Sequence, residues 1–127
     1  MIRTKSIYEP KDKEDGFRVL ITRYYPRGVK KSNFDQWIRG LSPNPELLKF
    51  YKSGEIDWKE FENKFRNQMD SNHQCKEMIQ TLAHLATIEN VTLLCYEKNG
   101  NPCHRYMIEE CVQEYMEEPQ KILTKFS

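Results

Sequence analysis

The chain has 127 residues, with 20 Lys and Arg against 19 Asp and Glu, a net charge of +1, and 38% hydrophobic and 31% charged residues. That length predicts one domain, 1–127, with a single core, and the near-neutral balance excludes a nucleic-acid binder driven by bulk positive charge. No apolar run approaches the roughly eighteen residues of a membrane span, and MIRTKSIYEPKDKEDG has no apolar signal region, so a cytoplasmic protein without membrane association is expected.

In chain order, KSIYE reads as a brief strand and PKDKEDG as a charged loop ending in an Asp–Gly turn signal. FRVLITRYY follows, with Phe17, Val19 and Ile21 on one face and Leu20 on the other. Its β-branched and aromatic content predicts a strand buried on at least one side. The long connection PRGVKKSNFDQWIRGLSPNP is expected to hold a turn of helix around Phe34 to Ile38. NPELLKFYKSG has proline just inside a helix start and glycine just past its end. In DWKEFENKFRNQM, Asp57 and Glu60 have capping-box spacing, and Trp58, Phe61, Phe65 and Met69 form one stripe. NHQCKEMIQTLAHLAT repeats the helical pattern through Cys75, Met78, Ile79, Leu82 and Leu85. NVTLLCY is a short continuous apolar run, the mark of a strand covered on both faces. The last helix is predicted from Asn101 to about Glu117, with Asn101 as cap and Pro102 in its first position, burying Met107, Ile108, Cys111, Val112 and Tyr115. This order predicts an α/β fold: a single compact domain with a small mixed or mostly parallel sheet flanked by helices.

The loop between NVTLLCY and the last helix concentrates the chemistry. Cys103, His104 and Arg105 fall in the first helical turn, where unpaired N–H groups and the helix dipole favour anions and favour a thiolate over a thiol. Arg23 closes the first long strand and Arg27 lies just beyond it. If the two strands are parallel neighbours, their carboxyl ends open into one crevice, where Arg23, Arg27, Cys95, Glu97, Cys103, His104 and Arg105 would meet. Each has a plainer reading. Cys103 and His104 are in step with the buried stripe, Arg105 can pair with Glu109, Cys95 suits a buried strand as a small apolar residue, and Arg23 and Arg27 can brace carbonyls. Direct activation of Cys103 by His104 looks unfavourable, since neighbours on a helix point about 100° apart. The four cysteines, at 75, 95, 103 and 111, match no zinc-finger spacing and are expected to be thiols. A Cys95–Cys103 disulfide and a three-ligand metal site are lesser alternatives.

DGFRVLITRYYPRGVKK, FDQWIRGLSPNPELLKFY and VTLLCYEKNGNPCHRYMIEE together resemble domain-of-unknown-function family 488, in its short YeaO-like branch, over Ile7 to Tyr115. The family pattern carries tryptophan where this chain has Tyr25. The resemblance implies a compact α/β fold with both motifs at strand ends. It also implies that Arg18, Arg23, Arg27, Cys95, Cys103, His104 and Arg105 share one site; it implies no reaction. The expectation is therefore a pocket for a small anionic ligand, with Cys103 as reactive thiol, His104 as donor or proton carrier, and Arg18, Arg23, Arg27, Cys95 and Arg105 binding the ligand. No metal and no cofactor are expected. The alternative is a non-catalytic module that meets nucleic acid or a protein through YYPRGVKK, where arginine, lysines and tyrosines contact phosphates and bases. Oligomeric state is not read from these residues.

Overall fold

The computed structural model describes residues 1–98 and 100–117, and the backbone of 118–126. Among the described residues four strands form one sheet: β1 (Ile2–Ser6), β2 (Phe17–Leu20), β3 (Gln36–Trp37) and β4 (Val91–Cys95). Their order is β1-β4-β2-β3 and every pairing is parallel. The apolar run of β4 occupies the interior of the sheet, buried at all five positions, as a strand covered on both faces requires. Its neighbours stand level with it. Ile2 and Phe17 both oppose Val91, Ser6 opposes Cys95, and Leu20 opposes Leu94.

The α-helices among the described residues are α1 (Pro45–Lys52), α2 (Trp58–Asp70), α3 (His73–Ala86) and α4 (His104–Phe126), the first three capped as short-range chemistry suggests. Asn44 caps α1 by accepting from the Leu47 N–H at 2.8 Å, Asp57 caps α2 through the Glu60 N–H at 2.8 Å, and Asn72 caps α3 through the Gln74 and Cys75 N–H groups. The α2 stripe buries Phe61, Phe65 and Met69. Each such fully buried side chain stabilises the fold by about 1.5–3 kcal/mol. No helix among the described residues is long and apolar enough to cross a membrane.

The parallel sheet with its helices is the α/β arrangement expected, and its two faces are covered differently. Val19, Ile21, Val91, Leu93 and Cys95 pack against residues of the helices. Leu20 and Leu94, alternating onto the other face, join Ile7, Val29 and Phe34 from the connections and Trp37 from the edge strand β3. Three local expectations also shift. The first strand begins at Ile2, although Ile7 still donates its N–H to the Cys95 carbonyl at 2.7 Å. The region Phe34 to Ile38 holds the short edge strand β3 rather than a helical turn, because Asp35 and Ile38 donate to the Arg18 and Leu20 carbonyls of β2. The complete capping box lies at Asp12–Asp15. Gly16 after it has φ 62°, and a Cβ there would meet the Asn90 carbonyl oxygen at 2.1 Å. Only glycine fits where these two segments touch.

Candidate active site

The carboxyl ends of β1, β2 and β4 share one edge of the sheet, and the chain leaving β4 returns within eight residues to start α4. The helix begins at His104 rather than Asn101, so Cys103 stands just ahead of the first turn. This placement removes the objection to a Cys103–His104 contact, because the 100° rule applies only between two helical neighbours. The imidazole Nδ1 lies 3.8 Å from the Cys103 sulfur and 3.7 Å from the Cys95 sulfur, and Nε2 lies 3.6 Å from Cys95. Nε2 also stands 2.6 Å from the Ile21 carbonyl, just beyond β2. A carbonyl only accepts, so Nε2 carries a proton and Nδ1 is left to deal with the sulfurs. Phe65 holds the ring edge-to-face at 5.6 Å. All three side chains are buried.

The electrostatics separate the two thiols. Cys103 is pulled down to about 4, chiefly by the hydrogen bond from the Cys95 S–H, with burial opposing; His104, by hydrogen bond and charge, and the Arg105 backbone N–H add to the effect. The direction favours the thiolate form at this buried position. Cys95 moves the other way, well above the usual thiol range: burial comes first, then its hydrogen bond to Cys103 and the charge there, with Arg105 opposing. The two shifts run in opposite directions because each thiol acts on the other's ionisation.

Arg105 builds the loop over this pair. Its guanidinium is fully buried, donating to the Glu97 carbonyl at 2.6 Å, the Lys98 carbonyl at 2.8 Å and the Tyr106 hydroxyl at 3.0 Å. Its Nε has no partner among the described residues. The Glu97 carboxyl, at the exposed lip, is pushed up by burial and by the charge on Cys103. A cleft of about 290 Å³ opens beside Cys103, lined by Trp58, Glu62, Pro102, Tyr106, Met107 and Glu110. The sequence reading placed Trp58, Pro102 and Met107 on helices but assigned none of these lining residues to the site. The available signal was that Trp58 begins the α2 stripe at a helix end, where a large ring is half uncovered.

The other arginines expected here are engaged elsewhere. Arg23 donates to the Ser42 carbonyl at 3.0 Å and the Pro43 carbonyl at 3.1 Å, bracing the entry to α1. Arg27 is exposed, its own carbonyl accepting from the Tyr8 hydroxyl. Arg18 does not join the cluster: it is 1% exposed, ion-paired with Asp15 and bonded to the Asn33 carbonyl at 2.7 Å. Strand alternation sends it to the face opposite Val19. The structure thus brings Cys95, Cys103, His104 and Arg105 together, with Glu97 at the lip. The donor atoms of Cys95, Cys103 and His104 lie within 4.8 Å of one another, close enough to share a soft cation, but no further His, Cys, Asp or Glu among the described residues joins them. Three donors leave a tetrahedral structural site incomplete.

Comparison with known proteins adds a family. The model described as the active DUF488-N3 subclade matches residues 2–116. The chain is 29% identical over 109 residues to the uncharacterized protein YeaO of Escherichia coli (strain K12), covering 84% of this chain and 92% of that protein. It is 28% identical over 81 residues to the uncharacterized protein Rv3073c of Mycobacterium tuberculosis (strain ATCC 25618 / H37Rv), covering 61% of this chain and 67% of the other. No solved structure matches.

Proposed function

The chain belongs to the DUF488 family, and from that premise we propose that it is a cytoplasmic enzyme using Cys103 as a nucleophile on a small substrate held in the adjoining cleft. The observation that carries this reading is the Cys103 sulfur itself, 3.8 Å from the His104 imidazole, within 4.8 Å of the Cys95 sulfur and bordering a cleft, with its ionisation favoured by these two neighbours and by the Arg105 N–H. A core cysteine has no use for three donors; a nucleophile does, because only the thiolate attacks. His104 is the proton carrier, positioned by the Ile21 carbonyl. The four free cysteines suit a reducing compartment. An anionic group on the substrate would be met by the N–H groups opening α4 and by Arg105 behind them. Arg18 and Arg23 already spend their donors on Asp15 and on backbone carbonyls.

The test is the alkylation rate of each cysteine against pH, read peptide by peptide, with circular dichroism confirming that the fold persists. Cys103 is expected to react at a rate that stays level through neutral pH and halves only well below pH 7. Cys75, whose thiol is pushed up by burial, serves as the internal comparison. A half-point for Cys103 near the free-thiol value of about 8.5 would overturn the proposal.

A second reading has its own observation. Tyr8, Tyr24 and Tyr25 are exposed at 56%, 57% and 39%, beside exposed Arg27, Lys30 and Lys31. Tyr96 ties this lip to the site by donating to the Tyr24 carbonyl. Exposed rings among cations are what a single-stranded nucleic acid stacks upon. Binding of a labelled oligonucleotide that weakens steeply between low and moderate salt would support this module; salt-insensitive binding, or none at low salt, would exclude it.

A further inference from the structure

We propose that Cys95 is a resolving thiol for Cys103, so that the pair reduces small disulfides and itself closes to a Cys95–Cys103 disulfide. The inference rests on the reading of Cys103 as the nucleophile and names the class of substrate that the same site takes. Its basis is geometric. The two sulfurs and the His104 nitrogens lie within 4.8 Å of one another. A disulfide needs its sulfurs about 2 Å apart, so the gap to close is at most about 3 Å. One cysteine ends a strand and the other stands ahead of a helix, in a loop held from beneath by Arg105. Neither Cys75, bonded to the Gly40 carbonyl at 3.0 Å, nor Cys111, out on α4, belongs to the group.

Access and charge set the order of events. Cys95 is fully buried, whereas Cys103 borders the cleft, so a substrate meets Cys103 first. The Cys103 thiolate attacks one sulfur of RS–SR; the S–S bond breaks, RS⁻ leaves and takes the Nδ1 proton of His104, and a mixed disulfide remains on Cys103. The charge that had held the proton on Cys95 is then gone, and with it two of the causes of its reluctance to ionise. Cys95 passes its proton to His104 Nδ1 at 3.7 Å and attacks the Cys103 sulfur. The second RS⁻ leaves and receives that proton from the imidazole. In sum RS–SR gains two electrons and two protons to become two RSH, and the two cysteines are oxidised to one disulfide. A dithiol reductant, present as dithiothreitol in an assay, returns the pair to its starting state.

The experiment uses the reduced full chain and bis(2-hydroxyethyl) disulfide at neutral pH, quenched with N-ethylmaleimide and mapped by peptide mass spectrometry. The expected result is loss of two thiols and two hydrogens per chain, a Cys95–Cys103 linkage, and only a transient mixed disulfide. In Cys95→Ser the mixed disulfide on Cys103 is expected to accumulate and persist. A mixed disulfide that persists in the unmodified chain with Cys95 still free, or a bridge to another cysteine, overturns the resolving role while leaving Cys103 as the nucleophile. Cys103 untouched in the unmodified chain overturns both readings. The linkage map needs no variant, so it decides the question even if Cys95→Ser folds poorly.

Discussion

Replacing Asp15 by asparagine is expected to destabilise the fold by about 3–5 kcal/mol, the usual cost of stranding one member of a buried ion pair. Asp15 is fully buried. Its carboxylate takes both the Arg18 guanidinium and the Lys5 ammonium, the latter at 3.0 and 3.2 Å, together with the Asp12 N–H at 3.0 Å. Its carbonyl accepts from the Thr92 hydroxyl of β4 at 2.7 Å. Asparagine keeps the shape but leaves Arg18, only 1% exposed, with its charge unanswered in the interior. The Arg18→Met change made on top of Asp15→Asn removes that charge and is expected to recover much of the loss. Urea unfolding of the three proteins decides the matter: a midpoint that barely moves in Asp15→Asn would mean the pair adds nothing to stability. The pH dependence has a definite sign. Burial alone would raise the Asp15 pKa, but the Asp12 hydrogen bond and the Lys5 and Arg18 charges outweigh it, and the folded value lies below the ordinary 3.8. The stabilisation is complete above that ordinary value and is lost as pH falls through the lower folded one. Acid unfolding of the unmodified chain should therefore steepen below pH 3.8, and Asp15→Asn should flatten that limb.

What could be read from the sequence alone was whatever short-range chemistry decides. The proline-started α1, the cap at Asp57, the α2 stripe and the twice-covered β4 are set by spacing and side-chain type alone, and each stands where those features put it. The two-residue strand β3 was not legible, since Gln36 and Trp37 pair with β2 only because Asp35 and Ile38 find carbonyls on it. The arginines teach the same lesson. Guanidinium groups were expected to gather around an anion, but a buried arginine bonds to whichever carbonyls the tertiary fold leaves open. For Arg23 these are Ser42 and Pro43, some twenty residues away. The Cys95–Cys103–His104 group was half legible. An eight-residue loop forces the strand end and helix start together, but which face each sulfur takes depended on the helix starting at His104 instead of Asn101. The acidic and aromatic cleft lining draws on two helices and the loop, and no local pattern marks it.

The largest change in reactivity is expected from removing the donors around the Cys103 sulfur. His104→Gln retains an N–H for the Ile21 carbonyl but carries no charge to the thiolate, and loss of a neighbouring opposite charge moves an ionisation by about 1–3 units. The half-point of Cys103 alkylation should therefore rise by that amount, and the rate in mildly acidic solution should fall in proportion to the lost thiolate. Cys95 contributes the foremost hydrogen bond, so Cys95→Ala should raise the half-point as well, whereas Cys95→Ser, which retains a hydroxyl donor, should leave it nearly in place. That contrast separates a hydrogen-bond effect from loss of packing, because alanine and serine both remove the bulky sulfur. The Arg105 N–H survives in all three variants, so Cys103 should not return fully to the free-thiol range in any of them. If alanine and serine at position 95 behave alike, the S–H bond is not what holds the charge. If His104→Gln also leaves the profile unmoved, the helix terminus alone holds the thiolate and His104 is not its proton partner. A half-point that climbs in His104→Gln and Cys95→Ala but not in Cys95→Ser would assign the thiolate to the donors that surround it.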